Sequence, residues 1–362
     1  MIKAYFIGGR SVSIAHSVDL NDDVVVSATE LHDAVVEILK GFGATPSDAT
    51  CQATVLVEGD LRDQHSHGVR RLPVLASRLA NGLLVSGVER DLVWETDAVL
   101  RVDGRRGFGP VVAYEAIDAI IERAGTTGIA LAAISNSNHV GMLAPYIEKI
   151  AGAGQIGVAL TTSEALVHAW GGARAMVGTN PIGIAVPTTT YPLVLDMSTA
   201  AVSMGKILDY AAKSRPIPLG WAVTADGVPT TDARAVASGA ISPFGGAKGY
   251  ALGVAFEAMV AVLTGSEMGT AVRGTLDSVE VATKGDVFFA ISLERLGLVD
   301  HLPALQGYLD SVRSSHNGAQ GDIRVPGDRA RSTREYRMAH GIELHPDVWE
   351  GTLKLLDGVR SA

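Results

Sequence analysis

In SATELHDAVVEILKGFG, residues 27–43, the apolar positions Leu31, Val35 and Leu39 recur every four residues, which is the spacing of one helical face. Ser27 and Glu30 stand three apart, as a capping box requires, and glycines end the run. A second helix is predicted in TPSDATCQATVLVEGDLRDQ, where Pro46 suits a first turn. It should end at or just before HSHG, with Gly68 available as the terminator. The polar stretch DQHSHGVRRLP, Asp63 to Pro73, is thereby predicted to lie at a helix end, where side chains can converge on a cleft.

Residues 74–110 read as a short helix and then strands broken by DGRRGFGP, followed by helical periodicity from Val111 to about Ala124. GIALAAIS is a buried strand, and SNSNHVGMLAPYIEKIAGAG is a loop running into a helix with Asn138 as its N-cap. Further strands fit IGVALTTS, GIAVPT, LVLDMS and VFFAIS. SPFGGAKGYALGVAFEAMVAVLTG is a glycine loop that leads into a long apolar helix. The apolar part of that helix carries Glu257 and falls short of the length expected for a bilayer span. No repeat or low-complexity linker separates these elements, so well-packed lobes with soft boundaries are expected.

Composition narrows the class. With 362 residues, 47% hydrophobic against 19% charged, and 41 glycines, the chain can bury a large core and reads as a glycine-rich α/β enzyme body. The net charge of -9 disfavours nucleic acid or an anionic membrane as partner, because both need a basic face. The late basic run RVPGDRARSTREYR is expected to be a solvated helical face, with a local phosphate contact as the alternative. A single cysteine, Cys51, excludes an intrachain disulfide and points to a reducing cytoplasm; its apolar setting predicts a buried structural thiol. The N-terminal apolar stretch is interrupted by Gly8, Gly9 and Arg10 too early for a signal-peptide core, and residues 1–22 read as an extension.

Three chemistries compete for HSHG. A His-x-His pair could hold a metal, which would make a hydrolase using His65 and His67. That reading needs further ligands and an apolar strand before it, and VEGDLRDQ is polar and helical instead. Both histidines could also be structural. The acid/base reading is better supported: His67 is the natural neutral-pH proton donor and Ser66 can orient it. Arg71, one helical turn on, supplies a fork for a carboxylate. His139 is predicted at a helix start, where the dipole favours a neutral imidazole and nearby anions. Neither glycine-rich stretch matches a P-loop or a Rossmann fingerprint, but Gly245, Gly246 and Lys248 ahead of a helix suit an anion.

Taken together, HSHGVRRLP, SNHVGMLAPY, GGARAMVGTNPIGIAVP, LDMSTAAVSMGKI, IPLGWAVTADGVPTTD, PFGGAKGYAL and RVPGDRAR resemble, in order and over about residues 25–350, the type 2 malate/L-lactate dehydrogenase family. That family also includes ureidoglycolate and sulfolactate dehydrogenases, diketogulonate reductase and piperideine-2-carboxylate reductase. The resemblance implies a non-Rossmann α/β fold with a largely antiparallel cofactor-binding sheet and a helical domain. The helical part would span 23–125 plus 300–362, and the cofactor part 126–299. It implies a homodimer whose active site uses both subunits, and hydride transfer between NAD or NADP and a 2-oxo or cyclic 2-imino acid.

By the same resemblance His67 is the proton donor or base, assisted by Ser66, and Arg71 holds the carboxylate. His139 acts in catalysis or touches cofactor and substrate, and Thr179 and Asn180 line the pocket. Ser163, Asp196, Met197, Ser198, Lys248, Gly249, Gly327, Asp328 and Arg329 would contact the cofactor, and no metal is implied. The chain departs from the family at Ala247, where a bulkier residue is usual and a more open groove edge is therefore expected, and in residues 1–22.

Overall fold

Ser27 caps the first helix as its spacing predicts: its hydroxyl accepts the Glu30 amide at 3.1 Å. The computed structural model describes residues 23–315 and 322–361, so the expected extension lies outside the described residues. From the start, the elements are β1 (Val24–Val26), α1 (Ala28–Gly41), α2 (Pro46–Leu61), 3-10 turns over His65–His67 and Val69–Arg71, and α3 (Leu72–Ala80). Then come β2 (Asp91–Trp94), β3 (Val99–Asp103), α4 (Gly109–Thr127), β4 (Ile129–Ser135), α5 (Ala144–Gly152) and β5 (Gln155–Thr161). Short β6 (Val167–His168) and β7 (Ala175–Val177) precede β8 (Ile182–Val186) and β9 (Leu193–Met197). The second half holds α6 (Met204–Ala212), β10 (Ala222–Val223), β11 (Ala240–Ile241), α7 (Ala247–Thr264) and β12 (Asp286–Ser292). It closes with α8 (Leu302–Ser314), α9 (Asp328–His340), β13 (Ile342–Leu344) and α10 (Pro346–Arg360).

Seven strands form the main sheet in the order β2-β3-β4-β12-β5-β8-β9. Only β3 and β4 run parallel; the other five pairs are antiparallel, so this is the largely antiparallel sheet the resemblance implies. Helices α4 and α5 cover one face, where Tyr146, Ile117, Ile120, Ile150 and Phe288 make a buried cluster. On the other face, α7 places Val260 against Leu160 and Val287. Coverage on both faces explains why these strands read as apolar runs rather than alternating ones. The expected boundary after residue 125 falls within this layer, inside the last turn of α4.

A second core joins α1, α2, α3 and α10 around Leu31, Ile38, Leu56, Leu72 and Leu356. Strand β1 pairs with β13 and ties the start of this helical layer to its end. A four-stranded sheet, β10-β11-β6-β7, makes a small third unit. Its two- and three-residue strands are too short to have left a periodic signal in the sequence.

α7 is 18 residues long and, by length and composition, apolar enough to cross a membrane, so the expectation that it falls short is corrected. Its Glu257 is enclosed by protein donors, the Asn180 side-chain amide at 2.6 Å and the backbone amides of Gly178 and Gly269. These bonds seat one face of the helix against the protein body.

Candidate active site

Helix α2 ends at Leu61, earlier than predicted, and Asp63 takes a positive φ of 64°. The chain then folds back so that the buried Asp60 carboxylate receives the Val69 amide at 2.8 Å. Gly68 does not terminate α2; it closes the 3-10 turn His65–His67. A Cβ there would lie 2.2 Å from the Asp60 carboxylate, so the missing side chain is what lets the turn close. Gly59 serves the same fit from α2, where a Cβ would meet the His67 carbonyl at 2.9 Å.

This turn presents His67 and Arg71 to a loop from the sheet. His139 lies five residues before α5 rather than at its start, and its ring stacks on that of His67 with centroids 5.4 Å apart and planes within 5°. Burial and then the Arg71 charge push His67 down from the ordinary 6.5 to about 4. His139 is held well below 6.5 by burial, followed by the charges of Arg71, His67, Lys284 and Arg78. Its Nδ1 accepts the Gly141 amide at 3.2 Å, which leaves the proton of the neutral ring on Nε2. Asn138 is not a helix cap. It is buried, accepts from Arg78 Nε at 2.8 Å and donates to the Arg106 carbonyl at 2.8 Å, and so fixes the loop that carries His139.

The α5 cap is Asp196, whose carboxylate accepts the amides of Leu143 and Ala144 at 2.7 and 2.8 Å. Arg71 donates to the Thr275 carbonyl, while its Nε, the Arg78 Nη2 and His67 Nδ1 are buried without a hydrogen-bond partner among the described residues. Three buried polar groups around His139 thus lack internal partners among the described residues. A substrate that brings a carboxylate and a C2 oxygen or nitrogen supplies what they lack.

Beside them, Ser163 Oγ pairs with Thr179 Oγ1 at 3.0 Å, and the side-chain Oδ1 of Asn180 accepts the Ser163 backbone amide at 3.3 Å. The Asn180 amide donates to Glu257 and the Gly253 carbonyl, so its side chain is engaged in holding this corner rather than presented to a ligand. Ser66 approaches α6, with its Cβ 3.3 Å from where a Gly205 Cβ would stand.

The expected cofactor residues follow β9. At its start, Val194 lies against Gly327, and its amide donates to the Pro326 carbonyl at 3.3 Å. Past its end, the Thr199 amide donates to the Thr179 carbonyl and the Thr199 carbonyl accepts the Phe244 amide, which brings up the glycine loop before α7. Met197 and Ser198 are half-buried on this track, Lys248 is exposed and Gly249 is buried. The carboxylate of Asp328 accepts from Arg313 at 2.9 Å, whereas Arg329 is exposed and 3.7 Å from Asp63. Ser163, Thr179, residues 196–199 and the loop before α7 are therefore contiguous. Residues 327–329 reach the same strand at its other end.

Residues 26–352 match the family model for malate/L-lactate dehydrogenase. The chain belongs to this family. It is 34% identical over 335 residues to the malate/(S)-sulfolactate dehydrogenase of Methanothermus fervidus, spanning 92% of this chain and 98% of that one. It is 33% identical over 338 residues to a Δ1-pyrroline-2-carboxylate reductase of Burkholderia ambifaria, at 92% and 98% coverage. A solved dehydrogenase structure from Sinorhizobium meliloti superposes with a TM-score of 0.89 at 42% identity, covering 94% of this chain and 100% of that one.

As a member of this family the protein is an oxidoreductase that uses a nicotinamide cofactor. The residues present fit such a group: Gly245 and Gly246 hold positive φ of 57° and 66°, and Gly245 faces open space, which allows close backbone approach. The hydrolase alternative loses its ligand pair. His65 turns to Asp60 and Asp63 at 2.8 and 3.2 Å, while His67 turns to His139, so the two imidazoles do not converge.

Sequence reasoning missed Arg78 and the Lys284–Asp286 ion pair. Arg78 stands seven residues after Arg71, two turns along one helical face, and that spacing was readable. Lys284 and Asp286 are both buried and salt-bridged at the head of β12. Their i,i+2 spacing puts them on one side of an extended strand. Only the fold reveals that Lys284 comes close enough for its charge to act on His139.

Proposed function

We propose that the protein moves a hydride between the nicotinamide cofactor and C2 of a small 2-hydroxy or 2-oxo acid, with NAD or NADP as donor and acceptor. The observation that carries this reading is the stacked pair of neutral imidazoles beside a guanidinium whose Nε has no partner among the described residues. The cofactor, when bound, supplies or takes up the hydride. Arg71 holds the carboxylate and so fixes C2. In oxidation, neutral His67 accepts the hydroxyl proton; in reduction it returns that proton. Burial first and the Arg71 charge second keep His67 deprotonated, and docking of a carboxylate on Arg71 offsets the second, which couples substrate binding to proton uptake. His139, with its proton on Nε2, donates toward the reacting oxygen or the nicotinamide. The Burkholderia relative is named for a cyclic imine, and the same anchor and proton carrier suit a C=N bond.

Cofactor absorbance with each of NADH and NADPH, against pyruvate, oxaloacetate, sulfopyruvate, ureidoglycolate and Δ1-pyrroline-2-carboxylate, tests the reading. Turnover of one or more of these acids is expected; no oxidation of either cofactor by any of them refutes it.

The partner is a second copy of this chain. Leu252, Val254, Met259, Val262 and Leu263 leave an apolar face of α7 exposed, and Val262 is 79% exposed, more than a lone subunit in water favours. The helix begins just after Gly245 and Gly246 and carries Lys248 in its first turn, so a subunit seated on it borders the cofactor track. A reducing cytoplasm suits the lone Cys51. It is half-buried, and burial pushes its thiol up to about 11, so it stays protonated and inert.

A further inference from the structure

His65 has no part in the reaction as read from the sequence, yet its imidazole faces a carboxylate at each ring nitrogen. Its Nδ1 meets Asp60 Oδ1 at 2.8 Å and its Nε2 meets Asp63 Oδ1 at 3.2 Å. The other Asp60 oxygen accepts the Val69 amide, which lies between His67 and Arg71. From α9, Arg337 donates to Asp63 at 3.0 Å and to the Asp60 carbonyl. We propose that His65 is a positioning residue: as an imidazolium it braces Asp60 against Asp63, and so fixes the turn that aims His67 and Arg71.

The inference rests on the roles proposed for those two residues. Removing the brace leaves the Asp60 carboxylate, 1% exposed at its side chain, with a single amide to hold it. The turn then gains freedom where small displacements matter, because misplacement by about 1 Å can reduce turnover by roughly 100-fold.

The charge state supports the geometry. The Asp60 hydrogen bond and then that of Asp63 raise His65 to about 9, and Asp63 is itself lowered to about 2, first by His65. His65 also borders a cavity of 420 Å³, with Arg70 and Arg329 on its rim. Lys206 and Asp209 from α6 and Lys213 at its C-cap also line that cavity. Glu343 and His345 close it from β13 and the cap of α10, and Asp23 joins them from just before β1. A pKa raised in the folded protein means the brace is charged at neutral pH and is lost as pH rises through about 9. In the oxidation direction His67 already works as a neutral base, so it gives no decline there.

The test uses the full chain with cofactor and L-malate or L-lactate, whichever is oxidised faster, and compares His65→Ala, His65→Gln, His65→Arg and His67→Ala. Expected are a wild-type kcat that falls above about pH 9 and a fall moved to higher pH in His65→Arg. At neutral pH, His65→Ala and His65→Gln should lose about 10-fold or more with cofactor affinity unchanged. A second reading needs no turnover: NMR of the imidazoles without cofactor should show His65 titrating near 9, and His67 rising from about 4 toward 6.5 in His65→Ala as its turn loosens. His65→Ala within two-fold of wild type while His67→Ala is inactive overturns the brace alone. An active His67→Ala overturns the catalytic reading and the brace with it. A His65 that titrates below 7 in the wild type overturns the brace whatever the variants do.

Discussion

Exchanging Arg71 for Gln keeps a hydrogen-bonding side chain and removes one positive charge, and the structure assigns that charge two effects. The first is on binding. A hydrogen bond to a charged group is worth about 1.5–3 kcal/mol, which corresponds to a KM increase of roughly 10- to 150-fold for a carboxylate substrate. The second is on His67, which sits at about 4 because of burial first and Arg71 second. Burial survives the substitution, so the imidazole should rise from about 4 yet stay below 6.5. In oxidation the neutral ring is the base, so wild-type kcat/KM climbs as pH rises through about 4 and is level from there until the fall near pH 9 expected from His65. In Arg71→Gln that acidic limb should move to higher pH. Initial rates of cofactor reduction across pH, with each profile fitted for its acidic limb, supply both numbers. An unchanged KM together with a limb still near 4 would refute the assignment of Arg71 to substrate and of its charge to His67.

Three further outcomes are expected. His67→Ala should cut turnover by about 100-fold or more, while NAD(P)H affinity, read by fluorescence titration, stays near the wild-type value. Lys284→Met strands the fully buried Asp286, whose Oδ1 already lacks a partner, and should lower stability in urea by about 3–5 kcal/mol; the double change Lys284→Met/Asp286→Leu should regain most of that loss. Val262→Glu on the exposed face of α7 should give a monomer in sedimentation where the wild type gives a dimer, and a monomeric wild type would remove the proposed partner.

Much of this protein was readable before folding because its signals are local. Capping at Ser27, the apolar face of α1, and the buried strands β4, β5 and β12 follow from spacing within a dozen residues. The ordered motifs pointed to the dehydrogenase family and to His67, Arg71 and His139 as one site. Misreadings came where a side chain serves a partner far along the chain. Gly68 looked like a helix terminator and is a clearance for Asp60. Asn138 looked like a helix cap, yet it binds Arg78, and the cap is Asp196, more than fifty residues away.

His65 shows the division most clearly. Its place beside Ser66 and His67 suggested a metal pair and then a bystander, because sequence gives neighbours but not directions. The return of the chain after Leu61 points His65 toward two carboxylates and His67 toward another imidazole, so adjacent residues meet opposite fields. Residue types and spacing determined which chemistry this chain can carry. The tertiary structure decided which of its histidines is charged, because burial and the nearest countercharge set a pKa, and both depend on residues brought from elsewhere in the chain.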